Sequence, residues 1–242
     1  HRVYPMTTDT KMVAKVFEMM LLPLLYQFAA KHGLRLETPS QQNFYPDITF
    51  LSPNNNLKFA VDIKTTYRIS DTQINGMTLG AFTGYFRNRE SVKNTKYPYG
   101  EYAGHYVLGV VYSRHEHEFT APIPLAELDT LASVIYDFAF FVQPKYRIAS
   151  ALPGSGNTKN IGSINNLSDL MHGRGSFAQL GESVYDDYWM NYLTQDMAEK
   201  IDSYRPYINL KGYIEYKRKG AEVLEVVDSV IENALLPPQE VE

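Results

Sequence analysis

The stretch NFYPDITFLSPNNNLKFAVDIKTTY, residues 43–67, constrains this chain more than any other. Its two halves are rich in β-branched and aromatic residues and read as strands of a hairpin joined through the turn SPNNN. In the second strand, alternation places Leu57, Phe59, Val61 and Ile63 on one face and Ala60, Asp62, Lys64 and Thr66 on the other. The first strand runs from Asp47 to Leu51, and pairing Leu51 with Leu57 sets Asp47 opposite Val61–Asp62. Directly opposed Cβ atoms lie about 4.5–5.5 Å apart, so the hairpin is predicted to bring both carboxylates within reach of one ion. A bulge or slip in register would change the face that Asp47 takes.

Two carboxylates that close repel each other unless a cation or a proton intervenes. Mg²⁺ fits, because it takes one or two protein carboxylates, keeps waters and accepts a phosphate oxygen; Mn²⁺ is the expected substitute. The backbone carbonyl of Ile63 is a further candidate ligand. Lys64 beside the ion would stabilise phosphorane-like charge or orient a water for in-line attack. Asp47, Asp62 and Lys64 thus form a candidate metal-dependent site for phosphodiester hydrolysis. The same residues also fit a blander arrangement, in which Asp47 follows a turn and Asp62 pairs with Lys64 on a solvated strand face.

Composition permits such an enzyme without requiring it. The chain has 242 residues, 44% hydrophobic and 21% charged, and suits one large globular domain or a domain with a subdomain. The absence of cysteine excludes disulfides and thiolate metal sites. No uninterrupted apolar run is long enough to span a bilayer and no secretory signal is visible, so a cytoplasmic protein with no membrane attachment is expected. The chain opens on His1, so a missing N-terminal piece is expected. The net charge is −4, but residues 221–242 carry six acids and no base, and the remaining 23 basic and 21 acidic side chains leave the body at +2. That body permits binding to DNA.

Along the chain, Thr8 or Asp9 caps a predicted helix that stops at Gly33, with Val13, Val16, Phe17, Met20, Leu24 and Phe28 as its apolar stripe and a kink at Pro23. MTLGAFTGYFRN reads as a short helical segment; HYVLGVVYSR, SVIYDFAFFVQ and RIASAL read as strands, and PIPLAELDTLA as a brief helix. PGSGNTKNIGSINN is a loop, and ESVYDDYWMNYLTQDMAEKIDSY reads as one helix with Trp189 in core or interface packing. AEVLEVVDSVIENALL is amphipathic, through Val223, Val227, Val230 and Ala234. SRHEHEFT offers His115, Glu116, His117 and Glu118, which read as a solvated strand end in preference to a transition-metal site. The fold class is α/β (mixed α+β), with a mixed, largely antiparallel sheet flanked by helices.

Three blocks carry a resemblance to a known family: VYPMTTDTK…VFE at 3–18, QQNFYPDITF…VDIKTTY at 41–67 and GSGNTKNIGSI at 154–164. Together they resemble the PD-(D/E)xK nuclease superfamily and, within it, the EcoRV-like type II restriction endonucleases. A looser likeness continues through TLGAFTGYFRN, YPYGEYAGHYVLGVVYSR and DYWMNY, in the same order over most of 3–220. The resemblance implies a Mg²⁺-dependent, homodimeric endonuclease that cuts double-stranded DNA at a palindrome, GATATC, bluntly at its centre. A repair or nicking nuclease, or a DNA-binding module whose acids serve only structure, are the alternatives.

The resemblance also assigns residues. Asp47 and Asp62 match metal-binding carboxylates, Lys64 the catalytic lysine, and Glu18 a third acid near the site; on spacing alone Glu18 equally suits a helix surface beside Lys15. Thr10 and Lys11 match residues at the DNA backbone, and Thr65, Thr66 and Thr83 join the implied DNA-binding set. Gln41, Gln42 and Asn43 match a glutamine-rich loop on the minor-groove side. Gly154, Ser155, Gly156, Asn157, Thr158, Lys159 and Asn160 match the major-groove recognition loop, where glycines let backbone approach base edges and Asn pairs with adenine. Lys159 stands where the family pattern has threonine, and Phe44 where it has histidine. The implied division is a nuclease core over 1–150, a recognition subdomain over 151–220 and an acidic extension over 221–242.

Overall fold

The computed structural model describes residues 2–4, 8–115, 121–130, 133–154 and 159–218. The chain divides into two compact units, His1–Asn75 with Asn94–Val142, and Gly76–Lys93 with Gln143–Glu242. This division is discontinuous in sequence, unlike the contiguous one expected, because the segment after Asn75 builds a strand into the second unit.

In chain order, the first unit contributes β1 (Arg2–Val3), α1 (Thr10–Lys31), β2 (Arg35–Glu37), β3 (Ile48–Ser52) and β4 (Leu57–Tyr67). Next, β5 (Thr78–Ala81) and a 3-10 turn at Gly84–Phe86 replace the helical segment expected there, and they belong to the second unit. The chain returns to the first unit through β6 (Tyr102–Arg114), β7 (Ile123–Pro124), a 3-10 turn at Leu125–Thr130 and β8 (Ile135–Pro144). The second unit then resumes with α2 (Lys145–Ile148), β9 (Ala149–Pro153), β10 (Asn160–Ser163), α3 (Leu167–His172), α4 (Glu182–Asn191), α5 (Gln195–Lys200) and α6 (Leu210–Arg218).

The Asp9 side chain starts α1 by accepting the N–H groups of Lys11 and Met12, each at 3.0 Å. Its buried stripe runs Val13, Phe17, Leu21, Leu25 and Ala29. Met20, Leu24 and Phe28 of the expected stripe are 64%, 58% and 48% exposed, so that part of the reading is corrected. Leucines at 21, 22, 24 and 25 supply two overlapping stripes, and only packing against the sheet selects between them. By length and composition α1 is also apolar enough to cross a membrane, which the reading of the sequence did not anticipate. One face of it packs on the sheet, and Lys15 and Glu18 form an ion pair on it.

The central sheet has the order β2-β3-β4-β6-β8. The β2, β3 and β4 strands pair antiparallel, whereas β4 and β6 run parallel. Ser52 pairs with Leu57 and Ile48 with Val61, one residue away from the expected register. The cause is local: Ser52 joins β3, so the turn shortens to Pro53–Asn56 and closes on Asn56 with φ 54°. Residues of both faces of β4 are buried, including Ala60, Asp62 and Thr66 as well as Val61 and Ile63, as in a strand whose sheet is covered on both sides. Helix α1 covers one side through a core of Ala29, Leu36, Ile48, Phe50, Val61 and Ile63.

The second unit holds the antiparallel sheet β5-β10-β9. Its core is aromatic, with Phe82, Phe86, Phe177, Tyr185, Tyr188 and Trp189 fully buried. The single helix expected over 182–204 is two, because Thr194 leaves helical geometry and accepts the Met197 N–H at 3.2 Å to start α5. The RIASAL strand begins as α2, and the glycine-rich loop contains β10. The amphipathic segment over 221–242, and Glu116, His117 and Glu118, lie outside the described residues.

Gly109 on β6 faces the Phe141 ring of β8 so closely that a Cβ would stand 2.0 Å from a ring carbon. Gly109→Ala is therefore expected to destabilise the protein by on the order of 1–3 kcal/mol through overpacking. A companion Phe141→Leu should recover part of that loss in urea unfolding; equal midpoints for Gly109→Ala and wild type would contradict the packing described.

Candidate active site

Asp47 immediately precedes β3, and continuing the β3–β4 register sets it across from Asp62. The Asp47 Oδ2 atom accepts the Ile63 N–H at 2.7 Å, and the Asp47 N–H points to Asp62 Oδ1 at 3.4 Å. Lys64, two residues along β4 from Asp62, places Nζ 3.6 Å from a carboxylate oxygen of each aspartate. The three residues singled out in the hairpin therefore meet at one point. Asp62 is only 5% exposed, which rules out the solvated strand-face arrangement for this pair.

Electrostatics follow from that crowding. Burial, with the Asp62 charge adding to it, pushes the Asp47 carboxyl above the usual aspartate range against the pull of Lys64. Burial works against the Lys64 charge as well, yet Asp62 and Asp47 outweigh it and hold the ammonium above the ordinary lysine value. Two carboxylates sharing one ammonium remain a net negative set of hard oxygen donors. Such a set suits a small divalent cation whose other positions are filled by water. The Ile63 N–H is committed to Asp47, and its side chain lines the adjoining cleft.

That cleft, of about 230 Å³, is lined by Lys15, Glu18, Gln42, Asp47 and Ile63 among others. Glu18 occupies its wall with its carboxylate 2.7 Å from Lys15 Nζ. Among the described residues no group of three acids or histidines is gathered to hold a metal ion, so Glu18 shares the cleft without joining the aspartate pair. Thr38 and Pro39 also line it and were missed by the reading of the sequence; the polar turn that follows them was the available signal.

The remaining expected residues are dispersed. Thr10 opens α1, and Lys11 is exposed in its first turn. Gln41, Gln42 and Asn43 form an exposed turn, in which the Gln41 carbonyl accepts the Phe44 N–H at 3.1 Å. Thr65 is half-buried on β4, whereas Thr66 is buried with its hydroxyl donated to the Asn75 carbonyl, so its side chain serves the strand and not the surface. In the second unit, Thr83 precedes the 3-10 turn, and the Gly154 N–H donates to the Asn160 carbonyl at 2.8 Å. Lys159 is exposed, with its carbonyl accepting the Phe82 N–H at 3.0 Å, and Asn160 pairs with Ala81. Ser155, Gly156, Asn157 and Thr158 lie outside the described residues.

The family model for restriction endonuclease EcoRV matches residues 1–218. The chain is 38% identical over 216 residues to the type II restriction enzyme EcoRV of Escherichia coli, an alignment covering 86% of each chain.

The raised Asp47 pKa carries a stability consequence. Between the unfolded and the folded value the folded protein binds more protons, so stability falls as pH rises through that window and the cost is fully present above the folded value. Asp47→Asn keeps an acceptor for the Ile63 N–H and removes the charge. It is expected to raise the melting temperature of metal-free protein at neutral pH while lowering DNA cleavage by roughly 10²–10³-fold or more. A melting temperature at or below that of wild type across pH 4 to 8 would contradict the electrostatic account.

Proposed function

The chain belongs to the EcoRV restriction endonuclease family, and from that membership we propose a Mg²⁺-dependent homodimer that cuts double-stranded DNA bluntly at the centre of GATATC. The type II site-specific deoxyribonuclease activity is that of the family; the metal, the assembly, the target and the cut position are the proposal. The observation that carries it is the meeting of Asp47, Asp62 and Lys64 beside an open cleft.

In this reading Asp47 and Asp62 hold the divalent ion, with the Ile63 carbonyl as a further oxygen. When bound, the ion supplies Lewis acidity and lowers the pKa of a water. The chain's own residues do the rest. Asp47 is oriented by the Ile63 N–H, and Asp62 is fixed by its place in the buried strand β4. Lys64, held protonated by both carboxylates, presents positive charge where charge develops on the phosphate. Glu18, on the cleft wall, adds negative charge near Asp47 and raises the electrostatic attraction for a cation.

Thr10 and Lys11 are assigned to backbone phosphates, Gln41, Gln42 and Asn43 to the minor-groove side, with Gln42 lining the cleft, and Thr65 and Thr83 to further DNA contacts. Residues 154–160, with Asn157 at a base edge, are assigned to sequence reading in the major groove. The nuclease core is then assigned to 1–150 apart from Gly76–Lys93, recognition to 151–220, and the acidic extension over 221–242 to own-subunit packing or a dimer contact. A dimer matches a palindrome because two-fold symmetry presents one active site to each strand. The cytoplasm, where cellular DNA is accessible, is the compartment in which this activity operates.

Digestion of a supercoiled plasmid with Mg²⁺, followed by sequencing of the ends, tests the reading. Linear product with blunt ends inside GATATC is expected, with cleavage abolished by EDTA and by Asp62→Ala. Open circles alone would point to a nicking enzyme, and ends mapping elsewhere would remove the carry-over of specificity. Lys159→Thr is expected to flatten the dependence of DNA affinity on salt, by about one released counterion per phosphate contact.

A further inference from the structure

We infer that His105 is a positioning residue for cleavage, acting on Asp47 through the hydroxyl of Tyr45; this rests on the reading of Asp47 as a metal-holding carboxylate. Asp47 stands just outside the β3 ladder, whose first laddered residue is Ile48. What fixes the carboxylate from its N-terminal side is therefore whatever fixes the residues before it.

Tyr45 supplies that anchor in three ways. Its N–H donates to the Asn94 carbonyl at 2.9 Å, and its carbonyl accepts the Lys96 N–H at 2.7 Å. Its hydroxyl lies 2.6 Å from His105 Nδ1. Both side chains are only 7% exposed. The His105 ring is itself held flat against Tyr99, with centroids 3.8 Å apart and planes within 11°. Tyr45 also stacks on Tyr99, at 5.4 Å.

The choice of residues is informative. A phenol and an imidazole both pay desolvation when buried, and an apolar pair of similar size would fill the same space without it. What the polar pair adds is direction, because a short hydrogen bond fixes the Tyr45 side chain against one point on β6. Beyond Asp47 the arrangement is repeated: Thr49 Oγ1 lies 3.1 Å from the Tyr102 hydroxyl, also on β6. The residues two before and two after Asp47 are thus both tied to β6.

That strand also sets the second carboxylate. It runs parallel to β4 in a register that pairs His105 with Ala60 and Val107 with Asp62. One strand therefore fixes Asp62 through its backbone ladder and Asp47 through the side chains of His105 and Tyr102. Loosening the Tyr45–His105 bond frees Asp47 on its N-terminal side, leaving the Ile63 N–H and the β3 ladder as its ties, without moving Asp62, and the spacing of the pair is loosened.

The test uses Tyr45→Phe, which keeps the ring and removes the hydroxyl, and His105→Leu, which removes its hydrogen-bond partner. His105→Asn places an amide, which can accept or donate, near the position of Nδ1. Single-turnover cleavage is followed across Mn²⁺ concentrations on a duplex bearing the site at which wild type cuts. Duplex affinity with and without Ca²⁺, and melting temperature, are measured alongside. Tyr45→Phe and His105→Leu are expected to cleave roughly 10–100-fold more slowly, as for loss of an orienting contact behind a metal ligand. Their half-saturating Mn²⁺ should rise and the gain in affinity from Ca²⁺ should shrink, with metal-free duplex affinity within about twofold of wild type. His105→Asn should recover most of the rate. Wild-type rates in both variants, or losses no greater than the loss of folded protein or of metal-free duplex binding, would overturn the inference. Wild type assayed in parallel separates the two readings: no cleavage by wild type overturns the reading of the site and this inference with it, whereas equal cleavage by wild type and variants overturns only the inference.

Discussion

Two like charges set across from each other on neighbouring strands repel, and a sheet normally avoids the arrangement. Here the β3–β4 register imposes it on Asp47 and Asp62, and much of the first unit is arranged around the consequences. Lys64 offsets part of the repulsion from the same strand. The Ile63 N–H takes one oxygen of Asp47. Helix α1 and the core of Ile48, Phe50, Val61 and Ile63 hold the two strands in a register that the charges alone would oppose. Asp47 is left above its ordinary range, so the fold keeps at this point a group whose ionisation works against stability. That is the usual relation between a functional site and the scaffold that supports it.

The hairpin was legible because its signal is local. Alternation of β-branched and aromatic residues marked both strands, and the turn residues marked the reversal. Register was not legible to the last residue, because Ser52 suits a strand end as well as a turn. The buried stripe of α1 was ambiguous for a related reason: leucines at adjacent positions support more than one helical face, and the sheet decides. The break between α4 and α5 rested on Thr194 as a cap inside an otherwise helical run.

Long-range partners were the least accessible to sequence reasoning. Nothing near Thr66 in sequence announces that its hydroxyl goes to the Asn75 carbonyl, nor near Tyr45 that its hydroxyl meets His105 sixty residues away. Nor does spacing reveal that β5 crosses into the second unit to pair with β10. These contacts depend on which strands become neighbours, and neighbour choice is a property of the assembled sheet. The meeting of Asp47, Asp62 and Lys64 was readable from the hairpin; the support that holds those residues in place was not.

The most direct measurement of the central claim is anomalous diffraction from crystals of the protein bound to a duplex and soaked in Mn²⁺. The account predicts a peak within coordination distance of one oxygen of Asp47 and one of Asp62, lost when both residues are changed to asparagine. A peak held by Glu18 without the two aspartates, or one that persists in the double asparagine variant, would contradict it.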